Sequence, residues 1–140
     1  MTTRLTVTTA VIVAALSMLA FGAWSWLDPD GFAAWAGWPN HVHFLHDAGA
    51  FQMGIGMMMI WALWWRDAVA VVLAGFVFTN TFHAYNHAMD LDMGGHASDP
   101  WLLLALSAIA AVGLALRLRV LRHRTADQSA DESADEEAAA

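Results

Sequence analysis

The sequence contains no cysteine and no lysine, and only 14% of its residues are charged. The absence of cysteine excludes disulfides, thiolate metal sites, iron–sulfur clusters and thiol catalysis. Histidine, methionine and carboxylate side chains are therefore the only side chains that could bind a metal ion.

The formal net charge of -7 is concentrated near the C-terminus. Six of the thirteen acidic residues lie between positions 127 and 137, so the rest of the chain carries seven acids against six arginines. The last residues also lack aromatic and branched apolar side chains, and such a segment buries too little surface to offset its ordering entropy. We predict a disordered acidic tail over residues 125–140. Such a tail could keep the protein soluble at the membrane surface or recruit a partner. We expect no nucleic-acid partner.

Hydrophobic residues make up 59% of the chain and are arranged in long runs. Four runs cover residues 5–27, 48–65, 68–88 and 101–118, each about long enough to cross a bilayer as a helix. The first run could instead be a signal peptide, but it is longer than the usual apolar region of one, and no clean cleavage motif follows it. The sequence predicts an all-α, integral membrane four-helix bundle over residues 1–124, embedded in a lipid bilayer.

The arginines orient this predicted bundle. Arg4 precedes the first run, Arg66 lies between the second and third, and the other four lie at the end of the last run or beyond it, whereas the two remaining loops contain none. Arginine accumulates on the cytoplasmic side of membrane proteins. We therefore predict that both termini are cytoplasmic and that residues 28–47 and 89–100 face outside.

Six of the seven histidines fall at or near this outer side. They are His41, His43, His46, His83, His87 and His96. On a helical wheel, the strongly polar residues of TNTFHAYNHAMDLD up to Asp90, apart from Thr81, share one arc of about 120°, and Asp92 is expected to lie in the following loop. A polar arc in a membrane helix must face other helices or water, because lipid leaves its hydrogen-bonding groups unsatisfied.

The second run offers a partner for this polar arc. His46 and Asp47 immediately precede it, and it then presents Gly49, Gln52 and Gly56 at helical spacing, a ridge that permits close helix approach. Because a turn of about two residues joins the second and third runs, we predict that they are antiparallel neighbours. His46 and Asp47 should then approach the histidines of the third run.

This arrangement predicts a metal site. His83 and His87 are four residues apart, the spacing at which two imidazoles on one helix can share an ion. The predicted ligands are His46, His83, His87, Asp47 and Asp90, and the predicted hydrogen-bonding residues around them are Asn80, Asn86 and Gln52. Such a set suits Zn, Fe, Mn or Cu, whereas haem is harder to fit into so short a bundle. The sequence therefore predicts metal or cofactor binding, which would serve redox chemistry or metal handling.

Three alternatives stay open. The polar arc could simply hold helices together or bind a partner in an accessory subunit of a larger complex or a homo-oligomer. It could also belong to a small proton or ion pathway, although residues below Asn80 on the same helix are apolar. Met89 and Met93, beside His96, are either soft ligands for Cu(I) or ordinary apolar filler.

Two stretches resemble a known group of proteins. HDAGAFQMGIG and NTFHAYNHAMDLDMGGHASDPW are similar to segments of small four-helix bacterial membrane proteins of unassigned function. The resemblance implies a multi-pass protein of the bacterial plasma membrane. It implies no activity, cofactor or partner.

Overall fold

The computed structural model describes residues 2–139, with side chains for residues 2–130, 132 and 133. Within this range the chain is helical and contains no strand, as predicted. The α-helices are α1 (Thr2–Leu27), α2 (Pro29–Ala36), α3 (Val42–Trp61), α4 (Val69–Met89) and α5 (Asp99–Ala139). A short 3-10 helix, Arg66–Ala68, precedes α4.

Three of these helical segments are long and apolar enough to cross a membrane. They are Thr2–Leu27, Arg66–Met89 and Asp99–Ala130. Among the described residues, α3 does not join this set, because polar residues such as His43, Asp47 and Gln52 lower its hydropathy. The chain is thus compatible with a bilayer environment, although α3 is less apolar than the predicted second span.

The helices pack in an order that differs from the prediction. α3 lies mainly against α1, α4 lies mainly against α5, and α1 contacts α5. α3 and α4 touch only slightly, although they follow one another in the chain. The connection is longer than the predicted two-residue turn, because α3 already ends at Trp61 and residues 62–68 form turns and the 3-10 helix. This length lets α4 depart from α3 and pack on α5.

The apolar core lies nearest to the connection between α3 and α4. Its fully buried members come from all four long helices: Val11, Ala15, Met59, Leu73 and Ala110. We name the end of the bundle that contains Arg66 and Arg117 the arginine end, and the opposite end, which contains His83 and His87, the histidine end. At the arginine end, Arg117 Nη2 donates to the carbonyl oxygen of Arg66 at 2.7 Å and so ties α5 to the connection.

Two loops meet at the histidine end. The backbone N–H of Gly95, between α4 and α5, donates to the carbonyl oxygen of Gly37, between α2 and α3, at 3.0 Å. Both residues have positive φ angles, 80° and 71°, which glycine adopts without steric cost. α3 begins six residues before the predicted span, and His41 Nδ1 caps it by accepting from Phe44 N–H at 3.2 Å.

The C-terminal segment is helical where the sequence predicted disorder. α5 continues past residue 125, the predicted start of the tail, through Ala139 without a break. Alanine and glutamate, which are frequent in this segment, are among the best helix formers, and their propensity favours continuation of the preceding helix. Met1 and Ala140, the outermost residues of the two predicted regions, lie outside the described residues.

Candidate functional site at the histidine end

His83 and His87 lie side by side on consecutive turns of α4. Their Nε2 atoms are 3.1 Å apart, and the ring centroids are separated by 4.8 Å. Both side chains are half-buried. We call these two residues the histidine pair. The predicted inward orientation of the polar arc is thus found for its two histidines, which point the same ring nitrogen at one another.

Asp99 lies behind the histidine pair. Its Oδ2 atom is 3.5 Å from Nδ1 of His87, and both side chains are largely buried, with exposures of 21% and 17%. The same oxygen accepts a hydrogen bond from the backbone N–H of His96 at 2.8 Å, which fixes the position of the carboxylate. His96 Nδ1 lies 3.8 Å from it. A carboxylate in this position favours the His87 tautomer that carries its proton on Nδ1.

Asp99 was missed in the predicted site. The sequence does mark it, because an aspartate followed by Pro100 is a common helix start, and α5 begins at Asp99. What the sequence does not reveal is that α4 packs against α5, which brings the first turn of α5 beside the last turn of α4. The carboxylate beside His87 therefore comes from α5, whereas the predicted Asp47 lies beside His43.

Trp38 packs against His87 of the histidine pair from the loop between α2 and α3. Its ring meets the ring of His87 edge to face, with centroids 5.6 Å apart. A Cβ atom added to Gly95 would lie 2.9 Å from Trp38 Nε1. Any larger side chain at position 95 would therefore clash with this ring. The half-buried indole shields one side of His87 from solvent.

Asn80 belongs to a separate hydrogen-bond network deeper in the bundle. It is 2% exposed, and its Nδ2 atom donates to the carbonyl oxygen of Leu103 at 2.6 Å and to Ser107 Oγ at 3.0 Å. Thr81 Oγ1 lies 3.2 Å from the same hydroxyl. These bonds join α4 to α5. Asn80 was predicted to support the metal ligands, but its amide nitrogen is engaged with α5.

The residues predicted from α3 lie elsewhere. The ring of His46 packs at a tilt against the ring of Trp26 of α1, with ring centroids 4.9 Å apart. Asp47 lies 3.5 Å from His43 Nε2 on the surface, and both side chains are more than half exposed. Gln52 is half-buried against α1, where its Cβ would crowd any side chain at Gly22. These three positions follow from the packing of α3 on α1.

The remaining predicted residues are at the surface end of α4. Asn86 is exposed, and Asp90 is half-buried with its backbone N–H bonded to the carbonyl oxygen of Asn86 at 3.0 Å. Met89 and Met93 are both 61% exposed. The structure therefore brings together His83 and His87 from the predicted ligands and adds Asp99, His96 and Trp38 around them.

Among the side chains that the structure describes, those of residues 2–130, 132 and 133, no three His, Asp or Glu side chains are arranged to hold one metal ion. The site consists of two imidazole nitrogens 3.1 Å apart and one carboxylate beside Nδ1 of His87. No protein-family model, curated protein or solved structure matches the chain. The resemblance to small bacterial four-helix membrane proteins therefore stays a hypothesis, and the site has to be interpreted from its own chemistry.

Proposed function

We propose that this chain is a small integral membrane protein that binds a transition metal ion through Nε2 of His83 and Nε2 of His87. The observation that carries the proposal is the 3.1 Å separation of these two nitrogens. Two nitrogens bound to one ion at about 2.0–2.1 Å, with an angle of about 90–110° between them, lie about 2.9–3.4 Å apart. The histidine pair already has this spacing.

Asp99 supports a ligand role for His87. A histidine that binds a metal through one nitrogen usually donates its other N–H to a carboxylate or a carbonyl, which fixes the ring and strengthens the ligand. His87 Nδ1 is buried, has no hydrogen-bond partner in the part of the chain that the structure describes, and lies 3.5 Å from Asp99 Oδ2. A small rotation of either side chain would form this bond and leave the lone pair of Nε2 free for a metal ion.

Two imidazole nitrogens occupy only part of the coordination sphere of a transition metal. Zn, Fe, Mn and Cu all accept imidazole, and the remaining positions would be filled by water, a substrate or a group from a partner. Metal sites with open positions are those that carry out chemistry or pass the ion on. The proposal therefore extends to metal handling or redox chemistry at the histidine end, and a structural ion is a poorer fit.

The placement in the membrane is part of the same proposal. The start of α1, the last part of α5 and the arginines lie at the arginine end, whereas the loops of the histidine end contain no arginine. This distribution supports a cytoplasmic location for both termini. The histidine end then opens to the outside of a bacterial plasma membrane. A metal ion would reach the site from that side, through the loops around Trp38 and Gly95.

A second candidate is a non-catalytic accessory subunit without any metal. The observation that favours it is the Asn80 network, in which polar groups of α4 bond directly to α5. In this case His83 Nε2–H would donate to His87 Nε2, and the histidine pair would extend the same network. Polar contacts of this kind stabilise membrane helix pairs by about 0.6 kcal/mol each on average.

One experiment separates the two candidates. The full chain is purified in mild detergent, and its metal content is measured by mass spectrometry together with its visible spectrum. The same measurement is made on His83→Ala and His87→Ala, with His123→Ala, at the other end of the bundle, as the control. We expect near-stoichiometric metal in the wild type and the control, and loss of metal from both pair variants.

The opposite outcome is equally clear. A wild-type protein that stays metal-free after incubation with each of the four ions would overturn the metal proposal. If His83→Ala and His87→Ala then merely unfold at lower temperature, the accessory-subunit candidate is supported.

A further inference from the structure

A cavity of about 410 Å³ lies at the arginine end, between the start of α1, the connection after α3 and the middle of α5. Four of the six arginines of the chain line it: Arg4, Arg66, Arg117 and Arg124. The other lining residues are threonine, valine and leucine, and none of the described residues that line the cavity is acidic. We call this space the arginine cavity. Its lining combines concentrated positive charge with apolar walls.

Arg117 is the buried member of this group. It is only 8% exposed, and its Nη2 atom donates to the carbonyl oxygen of Arg66 at 2.7 Å. Its Nε atom is buried and has no hydrogen-bond partner among the described residues. The carboxylate of Asp67 is 4.0 Å from Nη2, but this side chain is fully exposed, and water screens its charge.

A buried guanidinium with an unsatisfied N–H is costly unless an anion compensates for its charge. Arg4, Arg66 and Arg124 increase the positive potential in the same cavity. Arginine also binds phosphate through several N–H groups at once, which a simple point charge cannot do. The arginine cavity therefore has the chemistry of a phosphate site, and its volume falls within the range of ordinary ligand sites.

The residues around the cavity indicate which kind of phosphate compound it would bind. Val7, Leu63 and Val120 form apolar walls beside the arginines. Trp61, at the end of α3, and Trp64 and Trp65, within the connection, are 49%, 73% and 69% exposed, as expected for a tryptophan belt at the boundary between lipid and water. A ligand with a phosphate group and acyl chains matches both kinds of lining, whereas a free phosphate ion matches only the arginines.

We propose that the arginine cavity binds the phosphate group of an anionic phospholipid, with Arg117 as its innermost contact. This lipid would join the start of α1 to α5 at the cytoplasmic surface and neutralise the buried charge. The inference depends on the membrane location of the helices. It does not depend on metal binding by the histidine pair, which lies at the other end of the bundle.

The test uses the full chain, purified in a non-ionic detergent and freed of lipid. Native mass spectrometry measures the binding of three probes: short-chain phosphatidylglycerol, short-chain phosphatidylcholine and inorganic phosphate. The variants are Arg117→Gln, Arg124→Gln and Arg4→Gln. Arg119→Gln is the matched control, because it makes the same charge change on α5 at an exposed residue that does not line the cavity.

We expect phosphatidylglycerol to bind more tightly than phosphatidylcholine. Arg124→Gln and Arg4→Gln should each weaken phosphatidylglycerol binding about fivefold, the usual contribution of one basic residue to binding an anionic lipid. Arg117→Gln should weaken it more, and Arg119→Gln should leave it nearly unchanged. Because Arg4 and Arg124 are exposed, their variants report on binding even if Arg117→Gln fails to fold.

Two results would overturn the proposal. Equal losses in Arg119→Gln and in the cavity variants would mean that general surface charge attracts the lipid. Saturable binding of inorganic phosphate, without preference between the two lipids, would assign the cavity to a free anion. Loss of metal from the histidine pair has no bearing on either result, so the two proposals fail independently.

Discussion

Gly22 of α1 and Gly49 of α3 meet backbone to backbone. A Cβ atom on Gly22 would lie 2.8 Å from the carbonyl oxygen of Gly49, and one on Gly49 would lie 2.6 Å from the carbonyl oxygen of Gly22. Ser25 Oγ, which donates to the same Gly22 carbonyl at 3.1 Å, would also be 2.6 Å from the added Cβ of Gly49. The two helices approach this closely only because neither residue carries a side chain.

Gly49→Ala should therefore destabilise the bundle. The methyl group has no space without separation of α1 from α3, and overpacking of this kind costs about 1–3 kcal/mol. Gly54→Ala is the matched control on the same helix, because nothing lies within 4 Å of its added Cβ. We expect Gly54→Ala to be neutral or stabilising by up to about 1 kcal/mol, since alanine is the better helix former. Thermal unfolding in detergent compares the two, and equal melting temperatures would contradict the packing.

The same contact explains what could be predicted from the sequence. The spacing of Gly49, Gln52 and Gly56 indicated a face for close helix packing, and Gly49 and Gly56 do face a neighbour at short distance. That neighbour is α1, whereas the sequence-based prediction was α4, the next long helix in the chain. A ridge of small residues indicates that some helix approaches closely, but helical periodicity does not encode which one.

The candidate site was predictable to a similar extent. The polar arc on α4 identified His83 and His87, because spacing along one helix determines which side chains share a face. The other groups around them depend on how helices from distant parts of the sequence pack. Asp99 and Trp38 lie 12 and 49 residues from His87 and reach it through loop geometry and the packing of α4 on α5. The metal-binding hypothesis itself stays a proposal.

Asn80→Ala should loosen the contact between α4 and α5. The substitution removes both hydrogen bonds from Nδ2, to the Leu103 carbonyl and to Ser107, and leaves a small void at a site that is 2% exposed. Measured polar contacts in membrane bundles suggest a loss of about 0.6–1.7 kcal/mol before the void is counted. Asn86→Ala removes the same side chain at an exposed position on the same helix and should change stability little. A lower melting temperature in both variants would indicate a general effect of asparagine removal.

Asp99→Asn tests the carboxylate behind the histidine pair. If His87 binds a metal, loss of this charge should weaken metal affinity about 10–100-fold, as is typical for carboxylates that orient a metal-bound histidine. Asparagine keeps an oxygen that can accept from His96 N–H, so the loop should retain its shape. The control is Asp47→Asn, at a residue of the predicted ligand set that lies on the surface beside His43. Metal titration of both variants gives the answer, and a larger loss in Asp47→Asn would restore the predicted ligand set.

The order of the helices can be tested by cysteine crosslinking, because the chain contains no cysteine and any pair can be introduced without background. Trp26→Cys with His46→Cys reports on the contact between α1 and α3, because the ring centroids of these two residues lie 4.9 Å apart. Asn80→Cys with Ser107→Cys reports on the contact between α4 and α5, because Asn80 Nδ2 lies 3.0 Å from Ser107 Oγ. Both pairs should crosslink in membranes under mild oxidation or with a short bis-maleimide.

The decisive pair is His46→Cys with His83→Cys. It should crosslink poorly, because α3 and α4 separate after the connection that joins them, and a disulfide forms only when the two Cα atoms lie within about 7 Å. Reaction of each single variant with a soluble maleimide shows that both thiols are accessible. Efficient crosslinking of this pair, with little reaction of the first two, would mean that α3 packs along α4 after all. His46 would then be close enough to the histidine pair to complete the predicted set of three histidine ligands.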